Sequence, residues 1–571
     1  MKIQNYINYA LVFLMLFTFT NCQNLEYDES TGNREEDVFN DFARSKNFLT
    51  GIYAYLPTDY NSIDGAMRAA ASDEAEHVSD LSDIQKFNEG SWSANLPLDN
   101  VWGTMYTAIR ASNVFLKESA GQTFPEQQYN NLYKNIILQY NNYPYEARFL
   151  RAFFYFELVK RYKNIPLIIT VLTPEEAVNV DQASFEEVIN FIVSECDAIS
   201  PILPTTYSNF STALETGRAT KGAAMALKAR ALLYAASPLH NTPTDLVLWE
   251  KAARAAKDII DLNLYSLTTG YANNFNILAI SPVPELIFER RNAVSNDFER
   301  RNFPIGYEGG NTGTCPTQNL VDAYEMARNG LPALTTNSSG YNPNSPYSTA
   351  GTSARDSRLG QTVIVNGSVW KNKPVLTYFG GTNGLPIFNA TKTGYYLKKY
   401  VIEGVNLDPK LPTGITTREH TWNIFRYGEV LLNYAEAMNE AYGGPGNAST
   451  LGMTALQAVN LVRRRANPSF AGFLFPAGMS QDAFRTKLRN ERRVELAFED
   501  HRFWDIRRWK IGKETEDIYA MNITRDENSI FTYERKLLEK RTFDENKMYL
   551  YPIPLSEILK SNNKLKQNPG W

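Results

Sequence analysis

Apolar and small residues recur at intervals of three and four through LDNVWGTMYTAIRASNVFLKE (98–118), at Val101, Met105, Ala108, Ile109, Ser112 and Phe115. That is the period of a helix with one buried face. Trp102 falls on the same stripe and is assigned to the core. The period returns in YEARFLRAFFYFELVKRY (145–162), ATKGAAMALKARALLYAAS (219–237), LVLWEKAARAAKDIIDLN (246–263) and WNIFRYGEVLLNYAEAMNEA (422–441). Chain order pairs these segments into hairpins: 98–118 with 126–142, 145–162 with 184–198, 219–237 with 246–263, and 422–441 with 454–466. Between about 264 and 420 the helical period fades. Gly, Asn, Pro, Ser and Thr dominate there, broken by short β-like runs such as TVIV and YYLKKYV.

Several of the helical segments are rich in Ala, which lets helices approach closely, and some are apolar around much of their circumference, which demands neighbours on two sides. The expected fold is therefore mainly α: tetratricopeptide-like stacked helical hairpins with a large loop-rich insertion containing short β-strands. A loop-rich region set on a helical scaffold is where recognition usually sits.

The first residues, MKIQNYINYALVFLMLFTFTNC, hold an apolar run from Tyr9 to Phe19 that is too short to span a bilayer and suits the core of a signal peptide, residues 1–21. Cys22 follows directly, as in a bacterial lipobox, although Phe19 and Asn21 stand where Leu and a small residue are usual. Acylation of Cys22 would anchor the mature chain, each buried methylene contributing about 0.8 kcal/mol. Ordinary secretion with Cys22 removed is the alternative. The acidic QNLEYDES behind the Cys resembles the tag that sends Bacteroidetes lipoproteins to the outer leaflet.

The formal charge of the 571 residues is -4, and removal of a leader whose one charged side chain is Lys2 leaves -5. Such a balance does not suit a phosphate backbone, so no nucleic acid partner is expected. The one strongly basic strip, RNERRVELAFEDHRFWDIRRWK (489–510), spaces opposite charges three apart and can pair internally. The histidines stand scattered at 77, 240, 420 and 501, without HExxH or CxxC, so no metal is expected. No GxSxG elbow, P-loop or GxGxxG is present, and neither a cofactor nor a catalytic residue is assigned. Cys196 and Cys315 are either bridged or two buried thiols.

Read in order, YEARFLRAFFYFELVKRYKNIPL, ATKGAAMALKARALLYAASPL, ELIFER, CPTQNLVDAYEM, TWNIFRYGEVLLNYAEAMNE, ALQAVNLVRRRA, LRNERRVELAFEDHRFWDIRRWK, YLYPIPLSEI and NPGW resemble the SusD/RagB family. These are outer-membrane lipoproteins of Bacteroidetes that bind nutrients for an associated TonB-dependent transporter. The resemblance implies a non-catalytic binding protein on the cell exterior. It also implies a helical scaffold region over 22–263, a ligand-facing region over 264–420 and a C-terminal helical region over 421–571, the last two forming one family unit.

Strip 489–510 then becomes scaffold. Glu491, Glu495 and Glu499 share a helical stripe and should meet Arg partners. Phe498, Phe503, Trp504 and Trp509 should pack against the C-terminal YPIP segment, and His501 should hydrogen-bond Asp505, four residues on. The family's ligand face resembles a shallow aromatic arc on loops. Two loops match its position, 72–100 and 290–313, and they offer Trp92, Phe303 and Tyr307 as platforms with Arg301, Asn302 and Asn311 around them. Flat rings suit the apolar face of a pyranose, while amides and guanidinium suit its hydroxyls. The expected ligand is an oligosaccharide or polysaccharide. A peptide ligand is the alternative that ERRNF leaves open, and a helical-repeat scaffold without a small ligand is another. A glycosidase would need two of Asp73, Glu74 and Glu308 at acid and base distance, which sequence does not place.

Overall fold

The computed structural model describes residues 35–207, 217–276, 283–334 and 339–571; the leader and Cys22 lie outside them. The fold is mainly α. Helices α1 (Phe42–Tyr53), α2 (Trp102–Glu118), α3 (Tyr133–Tyr162), α4 (Phe185–Ile199), α5 (Lys221–Ala236), α6 (Leu246–Asp261), α7 (Tyr427–Ala441), α8 (Ala455–Ala466) and α9 (Gln481–Glu495) stack as hairpins. Neighbours in this order pack together from α2 to α9, except that α9 packs back on α7. Ser184 with Glu187, and Thr454 with Gln457, form capping boxes that start α4 and α8. Among the described residues, no helix is long and apolar enough to cross a membrane.

Two expected boundaries differ. Segments 126–142 and 145–162 form parts of one 30-residue helix, α3, that runs through Pro144. A proline inside a helix costs about 3 kcal/mol. Aromatic packing just before it works against a break: Tyr140 meets Phe124 edge-on at 4.6 Å, Tyr143 stacks with Phe42 at 6.1 Å, and Arg218 lies 4.7 Å over Tyr143. Segment 422–441 divides, because residues up to Arg426 belong to a strand and the helix starts at Tyr427.

The described strands form small two-stranded antiparallel sheets. Strand β1 (Ala75–His77) pairs with β3 (Thr314–Pro316), β2 (Leu286–Ser295) with β4 (Arg418–Arg426), and β5 (Asp517–Arg525) with β6 (Phe531–Lys540). Cys196 and Cys315 are separate, buried thiols.

Strip 489–510 lies at the centre of the molecule. Glu495 accepts from Arg358 at 2.8 Å, from Arg426 at 2.7 Å and from Arg465; Glu491 accepts from Arg358 at 2.6 Å and Arg463 at 2.5 Å. Glu499 takes Arg426 at 2.6 Å and Lys399 at 2.7 Å. His501 does not bond to the Asp505 carboxylate, which is taken by Arg492 and Arg508 at 2.7 Å each. Its Nδ1 instead accepts from Arg492 Nη2 at 3.2 Å, and burial together with the surrounding guanidinium groups holds its pKa well below the usual range. Phe503 and Trp504 do meet Tyr551 of the YPIP segment. Trp509 turns away, donating its Nε1–H to Glu436 at 2.7 Å, and Phe498 joins the general core.

Buried acids tie the N-terminal strand to this centre. Asp73 accepts from Arg502 at 2.8 Å, and Arg493 with Arg502 holds its carboxyl down at about 2 against burial, which acts the other way. Glu74, alongside, is buried, and its Oε1 has no hydrogen-bond partner among the described residues. Burial, only partly offset by Arg493 and Arg502, pushes its carboxyl up to about 8 from the usual 4.5. The folded protein therefore keeps a proton that the unfolded chain has lost, and stability falls as pH rises from about 4.5 to about 8. Glu74→Gln removes this loss. Its stability in chemical denaturation should match wild type near the acid end of that window and exceed it at the alkaline end. A difference that does not change with pH would refute the assignment.

Candidate functional site

Stretches 72–100 and 290–313, the second beginning as the end of strand β2 and not as loop, meet because β1 and β3 pair, with Glu76 opposite Cys315 and His77 opposite Thr314. The pairing extends outward, where Val78 N–H donates to Gly313 O at 2.9 Å. A third loop, 378–392, closes on them: Asn383 Nδ2 donates to Ile305 O at 2.5 Å, Thr312 donates to Asn389 O, and Lys392 pairs with Asp80. Residues 59–65 complete the surface, since Ser82 Oγ donates to Asp64 O at 3.1 Å and Asn302 Nδ2 to Asn61 Oδ1 at 3.1 Å. Gly65 takes φ +83°, so the turn there calls for glycine, and the Arg301 guanidinium lies beside it.

The aromatic arc expected on this surface is not built from the expected residues. Trp92 is only 2% exposed: its ring lies 4.5 Å from Trp571, 4.8 Å from Phe87 and 5.1 Å from Tyr551, so it anchors its loop to the C-terminal segment. Phe303 is fully buried, edge-on to Trp370 at 5.7 Å with Lys371 Nζ 4.6 Å over its ring. Asn302 is buried as well and spends its amide inside, accepting from Thr314 N–H at 3.0 Å and donating to Phe298 O at 2.9 Å. None of these three is available as a platform or polar contact. Tyr307 is half-buried, its hydroxyl held by the carbonyls of Trp370 and Lys373 at 3.1 and 3.2 Å. Arg301 and Asn311 are exposed, Arg301 pairing with Asp297 at 3.1 Å.

Sequence reasoning missed the third loop. Phe388 is 85% exposed, next to the Asn389 carbonyl that fastens its loop to Thr312, and Leu81, 93% exposed, adjoins the Asp80 that holds Lys392. Phe379, Leu385 and Ile387 of the same loop are also exposed. The available signal was an aromatic after Pro in NGLPIFNAT, a run without helical period. The surface thus offers two exposed rings, Phe388 and Phe379, and several aliphatic groups beside Asn311, Arg301 and Tyr307. Of the candidate acids, Glu308 alone faces solvent, Asp73 being ion-paired and Glu74 enclosed.

Comparison with known proteins agrees with this architecture. Residues 284–571 match the SusD family, and residues 27–233 match a family described as starch-binding and associating with the outer membrane. SusD-like protein P25 of Formosa agariphila is 23% identical over 598 aligned positions, which cover 98% of this chain and 97% of that one. SusD-like protein P2 of the same organism is 34% identical over 164 residues, and this match spans 28% of each chain. A SusD-like protein from Bacteroides fragilis superposes with a TM-score of 0.74 at 28% identity, covering 94% of this chain and 98% of that one. A SusD-like carbohydrate binding protein from the same species gives 0.74 at 25% identity, covering 92% and 100%. With the family match taking in more than half of its length, and the helical scaffold of its solved relatives, this chain belongs to the SusD family.

Proposed function

We propose that this protein is a non-catalytic glycan-binding lipoprotein of the cell surface, anchored through Cys22, that passes oligosaccharides to a TonB-dependent outer-membrane transporter. The observation that carries the reading is the joining of loops 72–100, 290–313 and 378–392 into one surface that leaves Phe388 in solvent beside hydrogen-bonding side chains. An exposed ring of this kind suits the apolar face of a sugar, and Asn311, Arg301 and Glu308 suit its hydroxyls. If the ring removes about 100 Å² of apolar surface from water, it contributes roughly 2.5 kcal/mol before the costs of association. Affinity built from so few platforms is weak to moderate, as capture followed by release requires. The carbohydrate-binding description of the Bacteroides fragilis relative supports the same ligand class. A peptide is the second reading, favoured by the ionic groups Asp297, Arg301, Glu308 and the Asp80–Lys392 pair on this surface.

Affinity electrophoresis against polysaccharides and a peptide library identifies the ligand class. Phe388→Ala should then weaken binding of the retained ligand about five- to thirtyfold, equivalent to about 1 to 2 kcal/mol, with an unchanged melting curve. Unchanged affinity would remove Phe388 from the site, and retention of peptides alone would replace the glycan reading. For the anchor, incorporation of labelled palmitate should be lost in Cys22→Ala; a variant that still labels rules it out. Recovery of an outer-membrane β-barrel with the protein, after gentle extraction, tests the transporter.

A further inference from the structure

A cleft of about 630 Å³ opens between α1 and β2, lined by Lys46, Tyr53, Arg218 and the run Glu289, Arg290, Arg291 and Asn292. Its charges divide into used and unused. Arg218 pairs with Glu146 at 3.1 Å, and Arg291 pairs with Glu289 at 2.9 Å, so these two cations are neutralised by the acids beside them. The Arg290 guanidinium has no hydrogen bond or ion pair among the described residues, although it is more than half-enclosed and burial alone lowers its pKa. A guanidinium that has lost part of its hydration and found no acid keeps up to five donors for whatever enters the cleft. Glu289 is buried and turned toward Arg291, and its Oε2 is enclosed. The cleft therefore holds one unspent cation, Arg290, beside two cations that their own acids already neutralise.

We propose that this cleft binds the carboxylate or sulfate group of an acidic saccharide at the Arg290 guanidinium; this rests on the glycan reading above. The cleft lies within reach of the loop surface. Ala293 at its edge and Asp297, whose carboxylate pairs with Arg301, are four residues apart, at most about 14 Å of extended chain. On the other wall, Leu56 leads to the Asn61 that holds Asn302. A bidentate guanidinium–anion pair in a partly enclosed site is strong and directional, and it weakens with salt less steeply than an exposed pair.

The test uses the full mature chain with polygalacturonate, carrageenan and neutral dextran. Wild type should retain at least one acidic polymer, and Arg290→Gln should weaken that retention about tenfold, roughly 1.4 kcal/mol, without altering the melting curve or any binding of neutral glycan. Unchanged retention in Arg290→Gln overturns the proposal, while loss in Phe388→Ala alone leaves the loop surface standing without the cleft. If no polymer is retained, modification of Arg290 by phenylglyoxal, followed by mass spectrometry in sulfate against chloride at equal ionic strength, decides separately. Slower modification in sulfate preserves the anion site although the glycan reading fails, and equal rates overturn it.

Discussion

Glu495→Ala should lower stability by about 3 to 5 kcal/mol in chemical denaturation, the cost of leaving buried guanidinium groups without their acid. Glu495 is fully buried and is shared by Arg358, Arg426 and Arg465, whose own positions come from three separate parts of the chain. Removing the carboxylate leaves these cations crowded together with only Glu285, Asp356, Glu491 and Glu499 to balance them. Glu495→Gln should recover part of the loss, because it keeps the shape and one acceptor while still losing the charge. Whatever fraction remains folded should bind ligand as wild type does, since Glu495 is fully buried while Phe388 faces solvent. A variant that melts like wild type yet loses binding would show that this helix serves recognition and not support.

Trp92→Ala should cost about 3 to 5 kcal/mol, the range for truncating a large aromatic in a packed core. Its ring fills the space between Phe87, Tyr551 and Trp571, and Ala would leave a void lined by three aromatics that are themselves tied to other elements. Phe303→Ala should behave alike. The contrast with Phe388→Ala is the informative part: burial predicts large stability losses for the first two and none for the third, whose ring already faces water. If Trp92→Ala instead melted normally and lost glycan affinity, the buried placement of that ring would be refuted.

The helical scaffold was legible because its information is local. The three- and four-residue period marks α2, α5 and α6 within a few residues, and it places Trp102 on the buried stripe where the structure has it. Boundaries failed where a distant partner decides. Nothing near Trp422 shows that β2 will pair with it, yet Trp422 stands opposite Arg290 in the sheet, and this makes residues 418–426 a strand. The loop aromatics failed for the same reason. Trp92 and Phe388 both sit among Gly, Asn and Pro without helical period, so sequence gives them the same description. What separates them is Trp571 and Tyr551, which reach Trp92 from the far end of the chain while Phe388 has no such cover. The convergence of loops 72–100 and 290–313 was expected; the β1–β3 pairing that produces it depends on backbone hydrogen bonds, which leave little trace in side-chain pattern.

The ion pairs at β1 also govern how the chain comes apart. Asp73 is held by Arg493 and Arg502, Glu76 by Arg541, and Asp99 by Arg68 and Arg161 with the Tyr551 hydroxyl at 3.0 Å. Acids from the first hundred residues thus find several of their partners in the last eighty, across the whole intervening sequence. Cutting the polypeptide between the two family-matched stretches would bury uncompensated charge on both sides, so neither fragment gains by folding alone. Unfolding is accordingly expected as one cooperative, all-or-none event despite the repetitive look of the hairpins, and refolding is expected to be slow, because contacts of such long sequence separation must form before they are rewarded.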